Sequence, residues 1–187
     1  MNEASNSRET GATNASGQGG PAPDEEAMAF AREVFDCTRR GDAAMLGKLI
    51  EKGLPVNLRN ENGDTMLMLA SYHGHVDAVK VLLAGGADPD LRNDKGQTPI
   101  AGAAFKGYRQ IIDTLLEHGA DVEGASPDGR TALMIAAMFN RIDIVRQLIA
   151  RGANPDARDA QGNDARVAAR TMGATEVLAL LQEGRAA

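Results

Sequence analysis

The chain has no tryptophan, a single cysteine, and only four Phe and two Tyr among its 187 residues. One cysteine, Cys37, excludes an internal disulfide and fits a reducing compartment, so a cytoplasmic location is expected. Clustered Lys and Arg interleaved with stacking aromatics are also missing, which argues against nucleic acid or an anionic membrane as partner. No apolar run approaches the ~18 residues that span a bilayer. The opening stretch, MNEASNSRETGATNASGQGGPAP, lacks the basic and apolar regions of a secretory signal. With so few rings, the core must be built from Ala, Leu, Ile, Val and eight Met, a set that favours helices.

The formal charge of −6 is concentrated at the start: five acids and one Arg precede residue 27, which leaves the remainder at −2. Residues 1–23 are mostly Ser, Asn, Thr, Gly and Pro, with almost nothing to bury, and are expected to be disordered. Order is expected to begin near Pro23-Asp24-Glu25-Glu26, where Asp24 can cap a helix and the acids favour its positive end.

From there the chain repeats. Gly63, Gly96, Gly129 and Gly162 recur every 33 residues, within the phrases NGDTMLMLAS, KGQTPIAGAA, DGRTALMIAA and QGNDARVAAR. A second phrase follows in register: GKLIEKGLPVNLRN, KVLLAGGADPDLRN, DTLLEHGADVEGAS and RQLIARGANPDARD. Thr65, Thr98 and Thr131, with Asp164 in the same slot, precede apolar-periodic stretches and are predicted N-caps. Pro99 falls where a helix does not need an N–H. Gly74, Gly107 and Gly173, with Asn140 in the equivalent place, suit a left-handed turn between two helices. The second helix carries Val76, Val79, Leu82 and Leu83, then Ile142, Val145, Leu148 and Ile149, on one face. Gly53, Gly86, Gly119 and Gly152 then end it. Each unit reads as helix, turn, helix and extended loop.

This phrase, G-x-T-P-L-H-x-A-A-x-x-G-H-x-x-V-V-x-L-L-L-x-x-G-A-D in its general form, resembles the ankyrin repeat over about residues 27–184. The resemblance implies an all-α solenoid of stacked helix pairs with β-hairpin-like fingers along one edge. The domain is expected to span residues 24–184. It would comprise a cap at 27–60, full repeats at 61–93, 94–126 and 127–159, and a C-terminal cap at 160–184. Phe30 occupies the slot of the finger glycine, so the first helix is expected to start without a finger. In the last unit Arg166 stands where Leu67, Ile100 and Leu133 do, and Gln182 where Leu83, Leu116 and Ile149 do. A polar outer face that closes the stack is expected there.

Against that frame, catalytic and metal readings find little support. HGHVD at residues 73–77 matches the H-x-H-x-D opening of metallo-β-lactamase zinc sites. Only one repeat has the histidine pair, however, and His118 is the only other His for a site that needs more ligands. Gly74-His75 matches the ankyrin Gly-His turn. Cys37 lies 33 residues before Ala70, in a small buried slot, and reads as an inert core thiol. No Gly-rich phosphate loop, H-E-x-x-H or G-x-S-x-G string occurs. No catalytic residue, metal or cofactor is expected.

The positions before the turn glycine remain. They read Tyr72-His73, Phe105-Lys106, Met138-Phe139 and Met172, and the ankyrin resemblance places them on the concave side. Half of the chain's aromatics lie in this stripe. It is expected to form a row that binds another protein, the alternative being that the rings fold back over the helix layer. The finger tips contribute Glu61, Asp64, Asp94, Lys95, Asp128 and Arg130, whose charges would orient a partner. A non-catalytic adaptor, inhibitor or stabilising partner is expected, monomeric in itself. The alternative is a structural or regulatory subunit that buries the same stripe in a homodimer.

Overall fold

The computed structural model describes residues 23–183, among which ten helices run in chain order. They are α1 (Pro23–Arg40), α2 (Ala43–Glu51), α3 (Met66–His73), α4 (Val76–Ala84) and α5 (Pro99–Lys106). The others are α6 (Arg109–Glu117), α7 (Ala132–Met138), α8 (Ile142–Ala150), α9 (Ala165–Thr171) and α10 (Thr175–Glu183). The fold is an all-α solenoid. The first helices of successive pairs, α1, α3, α5, α7 and α9, pack side by side in one layer. The second helices, α2, α4, α6, α8 and α10, form the other.

Local chemistry accounts for where the helices start and stop. The Thr65 side chain accepts from the Met68 N–H at 3.1 Å and Thr131 from Met134 at 3.3 Å, while Asp164 accepts from both Arg166 and Val167 at 2.9 Å. Each bond satisfies a donor that the first turn leaves open. Pro99 begins α5, where its missing N–H is not needed. The turns into the second helices are left-handed at Gly74 and Gly107 (φ 86°) and at Asn140 (φ 53°). Asn140 compensates for its strained backbone by tying two repeats together: its Oδ1 accepts from the Val177 N–H, and its Nδ2 donates to Glu176.

The core lies between the two layers. Leu67, Ile100 and Leu133 of the first helices meet Leu82, Leu115 and Leu148 of the second, all almost wholly excluded from solvent. Each such side chain contributes about 1.5–3 kcal/mol by leaving water. Ala70, Ala103, Ala136 and Ala169 are completely buried, and Cys37 fills the equivalent slot in α1. Burial, then the Asp42 carboxylate, raise the Cys37 pKa, so the group is a thiol. Ser71 is buried in the column that holds Ala104 and Ala137, and its hydroxyl has no hydrogen-bond partner. Ser71→Ala is therefore expected to raise unfolding stability by about 1 kcal/mol, read as a higher urea midpoint at unchanged slope.

Between pairs, the chain makes tight fingers closed by repeated backbone bonds. The Asn60, Asn93, Ser126 and Asp159 N–H groups each donate, at 3.0 Å, to the carbonyl four residues on. Fingers also bond one another, Asp94 N–H to the Asn62 carbonyl and Ala160 N–H to the Asp128 carbonyl. The Asn163 backbone N–H, helped by Gln161, holds the Asp159 carboxyl below its ordinary pKa. Only one β-bridge, Arg59 to Thr65, is formed among the described residues.

Three expectations need revision or restriction. Asp24 does not cap α1: the helix already includes Pro23, whose fixed φ suits a first turn, so Asp24 sits inside that turn with Glu25 and Glu26. The disorder expected of residues 1–23 otherwise concerns residues that lie outside the described ones. Arg166 does not face water. It is nine-tenths buried, its guanidinium paired with Asp156, 3.9 Å from Asp164, and donating to the Pro155 carbonyl at 3.2 Å. The long side chain reaches back to its own loop, so α9 ends the stack by neutralising a buried cation, while Gln182 is exposed.

Candidate functional site: a groove between helix ends and fingers

Because α3, α5 and α7 pack side by side in register, the residues at their C-terminal ends become neighbours. The Tyr72 and Phe105 rings stack nearly parallel, 8° apart with centroids at 6.3 Å. Phe139 meets Phe105 edge-on at 4.5 Å and 88°. Such offset and perpendicular pairs are the favourable aromatic geometries, about 0.5–1.5 kcal/mol each beyond burial. Phe105 is thereby half-covered, while Tyr72 and Phe139 each keep 39% of their surface exposed. The Lys106 ammonium lies 4.5 Å from the Tyr72 ring centre, within cation–π range. His73 packs edge-on against Tyr72 at 5.6 Å.

Between this row and the fingers runs a groove of about 660 Å³. It brings together Tyr72, His73, Phe105, Met138 and Phe139 on the helix side with Asp64, Lys95, Asp128 and Arg130 on the finger side. Glu61, Asp94, Lys106 and Met172 are not part of its lining. Glu61 is exposed at its finger tip, the Asp94 carboxyl lies against Gly63 of the preceding finger, Lys106 lies over Tyr72, and Met172, 52% exposed, ends α9.

The groove carboxylates are engaged within the fold. Asp64 accepts from Asn93 Nδ2 at 2.8 Å, and Asp128 pairs with Arg130 at 3.1 Å and accepts from the Ser126 hydroxyl. The Asp128–Arg130 pair is more than two-fifths exposed and adds little stability.

The histidine pair has structural work. His75 Nε2 donates to the Arg39 carbonyl at 2.7 Å, and its ring lies over Gly41, where there is no room for a Cβ. This ties α4 to the end of α1. His73 is kept neutral to lower pH than usual, first by burial and then by His75, Lys106 and Arg39. Among the described residues no three His, Cys, Asp or Glu side chains gather where they could hold a metal ion.

The 33-residue units, helix pairs and fingers coincide with three overlapping matches to the ankyrin-repeats family model, at residues 34–126, 85–159 and 123–186. The chain belongs to the ankyrin-repeat family. Ankyrin repeats are generally protein–protein interaction modules, and the family is typically non-catalytic. Relatives include a putative ankyrin repeat protein, PA3287, of Pseudomonas aeruginosa, 55% identical over 61 residues, which are 33% of this chain and 36% of that protein. Ankyrin repeat domain-containing protein 29 of Homo sapiens is 42% identical over 60 residues, 32% of this chain and 20% of that protein. The chain thus matches about a third or less of the length of these relatives.

Seen as ankyrin repeats, the groove has a floor that the aromatic stripe did not reveal. Met68, Leu69, Ala101, Gly102 and Ile135 line it, with Asn62, Asn93, Gln97 and Ser126 along the fingers. A signal existed in the sequence: Ala101-Gly102 interrupts columns that hold Met68-Leu69 and Met134-Ile135 in the flanking repeats.

Proposed function

We propose that this chain is a non-catalytic binding protein that takes one partner protein in the groove between its helix ends and its fingers. The observation that carries this reading is the row of Tyr72, Phe105 and Phe139, with two rings 39% exposed on one face. A fold held by small aliphatics has no packing use for the outer parts of these rings. Covering them would contribute about 1.5–2 kcal/mol each. The finger charges on Lys95 and Arg130, with the carboxylates of Asp64 and Asp128, would set orientation and association rate. Residues 24–184 are the unit proposed to do this, as adaptor, inhibitor or stabilising subunit. A single buried, unpaired cysteine is in keeping with a cytoplasmic setting.

The test compares affinity purifications of the wild type and a Tyr72→Ser/Phe139→Ser variant from the native cell by mass spectrometry. A protein recovered with the wild type and lost with a folded variant is expected, corresponding to roughly hundred-fold weaker binding. Equal recovery with both would exclude the aromatic row as the binding surface. Light scattering across a concentration series checks the competing homodimer, in which mass would rise for the wild type and not for the variant.

A further inference from the structure

The floor of the groove is uneven. Along α3 and α7 it is made by Leu69 and Ile135, but in α5 the same column holds Gly102, next to Ala101. Neither backbone strain nor crowding explains the glycine. Its φ is not in the left-handed region, and an added Cβ would make ordinary contacts with Tyr72 Cδ2 at 3.8 Å and Met68 Sδ at 3.9 Å. Inside a helix, glycine is less favourable than alanine. What it leaves is space in the groove floor, bordered by Met68 and Tyr72, with Ile135 and Met138 lining the same groove.

Charge is distributed unevenly along the same groove. Asp64 and Asp128 are bonded within the fold, and Lys106 lies on the Tyr72 ring. Lys95, exposed on the groove's finger side, has no carboxylate within ion-pair distance among the described residues.

We infer that the hollow over Gly102 is a socket for one bulky aliphatic or aromatic side chain of the partner, whose neighbouring acidic residue meets Lys95. This rests on the groove reading above and narrows it to a chemistry of partner: an apolar anchor beside a carboxylate. An anchor seated in a desolvated hollow is where binding energy concentrates at protein interfaces, and an uncommitted cation in the same groove selects for acid.

A random linear peptide library displayed on phage and selected on the full chain tests this. Enriched peptides are then titrated by fluorescence anisotropy against wild type, Gly102→Leu, Gly102→Ala, Lys95→Glu and Tyr72→Ser/Phe139→Ser. Peptides selected on the wild type are expected to share one bulky apolar residue next to Asp or Glu. Their affinity should fall roughly ten-fold or more with Gly102→Leu, which fills the socket, and less with Gly102→Ala, which narrows it without crowding. Lys95→Glu should weaken the same peptides. Peptides that need Tyr72 and Phe139 yet bind Gly102→Leu, or Gly102→Ala if the former fails to fold, as tightly as wild type would overturn the socket and leave the groove standing. Indifference to Lys95→Glu would overturn the acidic part. Peptides indifferent to every variant, or no consensus at all, would sink socket and groove together.

Discussion

Ala136→Asp is expected to unfold the protein, whereas Phe139→Ser, one helical turn further on, should leave it folded. Ala136 is completely buried in α7, which packs between α5 and α9. An aspartate there either ionises without a partner or is held neutral by a raised pKa, and its extra atoms have no room. A buried charge without compensation costs about 3–5 kcal/mol, a large share of the roughly 5–15 kcal/mol that keeps a domain folded. Because a repeat stack holds together through its neighbours, damage in the fourth of the five helix pairs also uncouples the units on either side. Phe139 sits at the rim with 39% of its surface exposed, and its loss removes mainly the edge contact with Phe105, about 1 kcal/mol. Urea titrations followed by circular dichroism should show no folded baseline for the first variant and a modest midpoint shift for the second. Equal destabilisation would move the aromatic row into the core and remove the basis of the proposed binding face.

The second large effect concerns the fingers. Gly96→Ala should cost about 2–4 kcal/mol, and Gly162→Ala only about 1–2 kcal/mol. Both glycines have left-handed backbones, at φ 74° and 80°, so the conformational cost of a side chain is shared. They differ in what stands nearby. A Cβ on Gly96 would fall inside contact distance of the Pro127 ring in the next finger, while one on Gly162 meets nothing within 4 Å. Pro127 has little freedom to move, since its φ is fixed by its own ring and the Ser126 and Gly129 N–H groups on either side are bonded within the finger. Thermal melts of the two variants side by side isolate the contact between fingers. Equal losses would mean that the fingers yield independently and do not present one continuous surface.

Much of this architecture is legible in the chain because its rules are local and recur. The caps at Thr65, Thr98, Thr131 and Asp164 act over two or three residues, and the structure forms each of them. Asn140 was readable as the substitute for a turn glycine on the same ground, since few other side chains tolerate a positive φ. The helix faces followed from the spacing of apolar residues and produced the two layers. Expectations that depended on the reach of one long side chain fared differently. Arg166 looked like a solvent-facing terminator because its column is apolar elsewhere, yet it folds back onto Asp156 and Pro155.

The candidate groove divides along the same line. That Tyr72 and Phe105 share a column, with Phe139 one position further on in the next repeat, is written in the sequence. That Tyr72 lies flat on Phe105 while Phe139 meets it edge-on, leaving the middle ring half-covered and the outer two exposed, is not. Ring orientation is set by neighbours from adjacent repeats, which local pattern does not contain. Likewise, Ala101-Gly102 is a visible break in a repeated phrase, but only the packing of α3, α5 and α7 turns it into a hollow in the groove floor. By itself the sequence determined the period, the caps, the turns and the layer each helix joins, because backbone geometry and burial patterns act within one unit and are copied in the next. The tertiary structure alone decided which side chains cover one another and where space is left, because those outcomes depend on contacts between units.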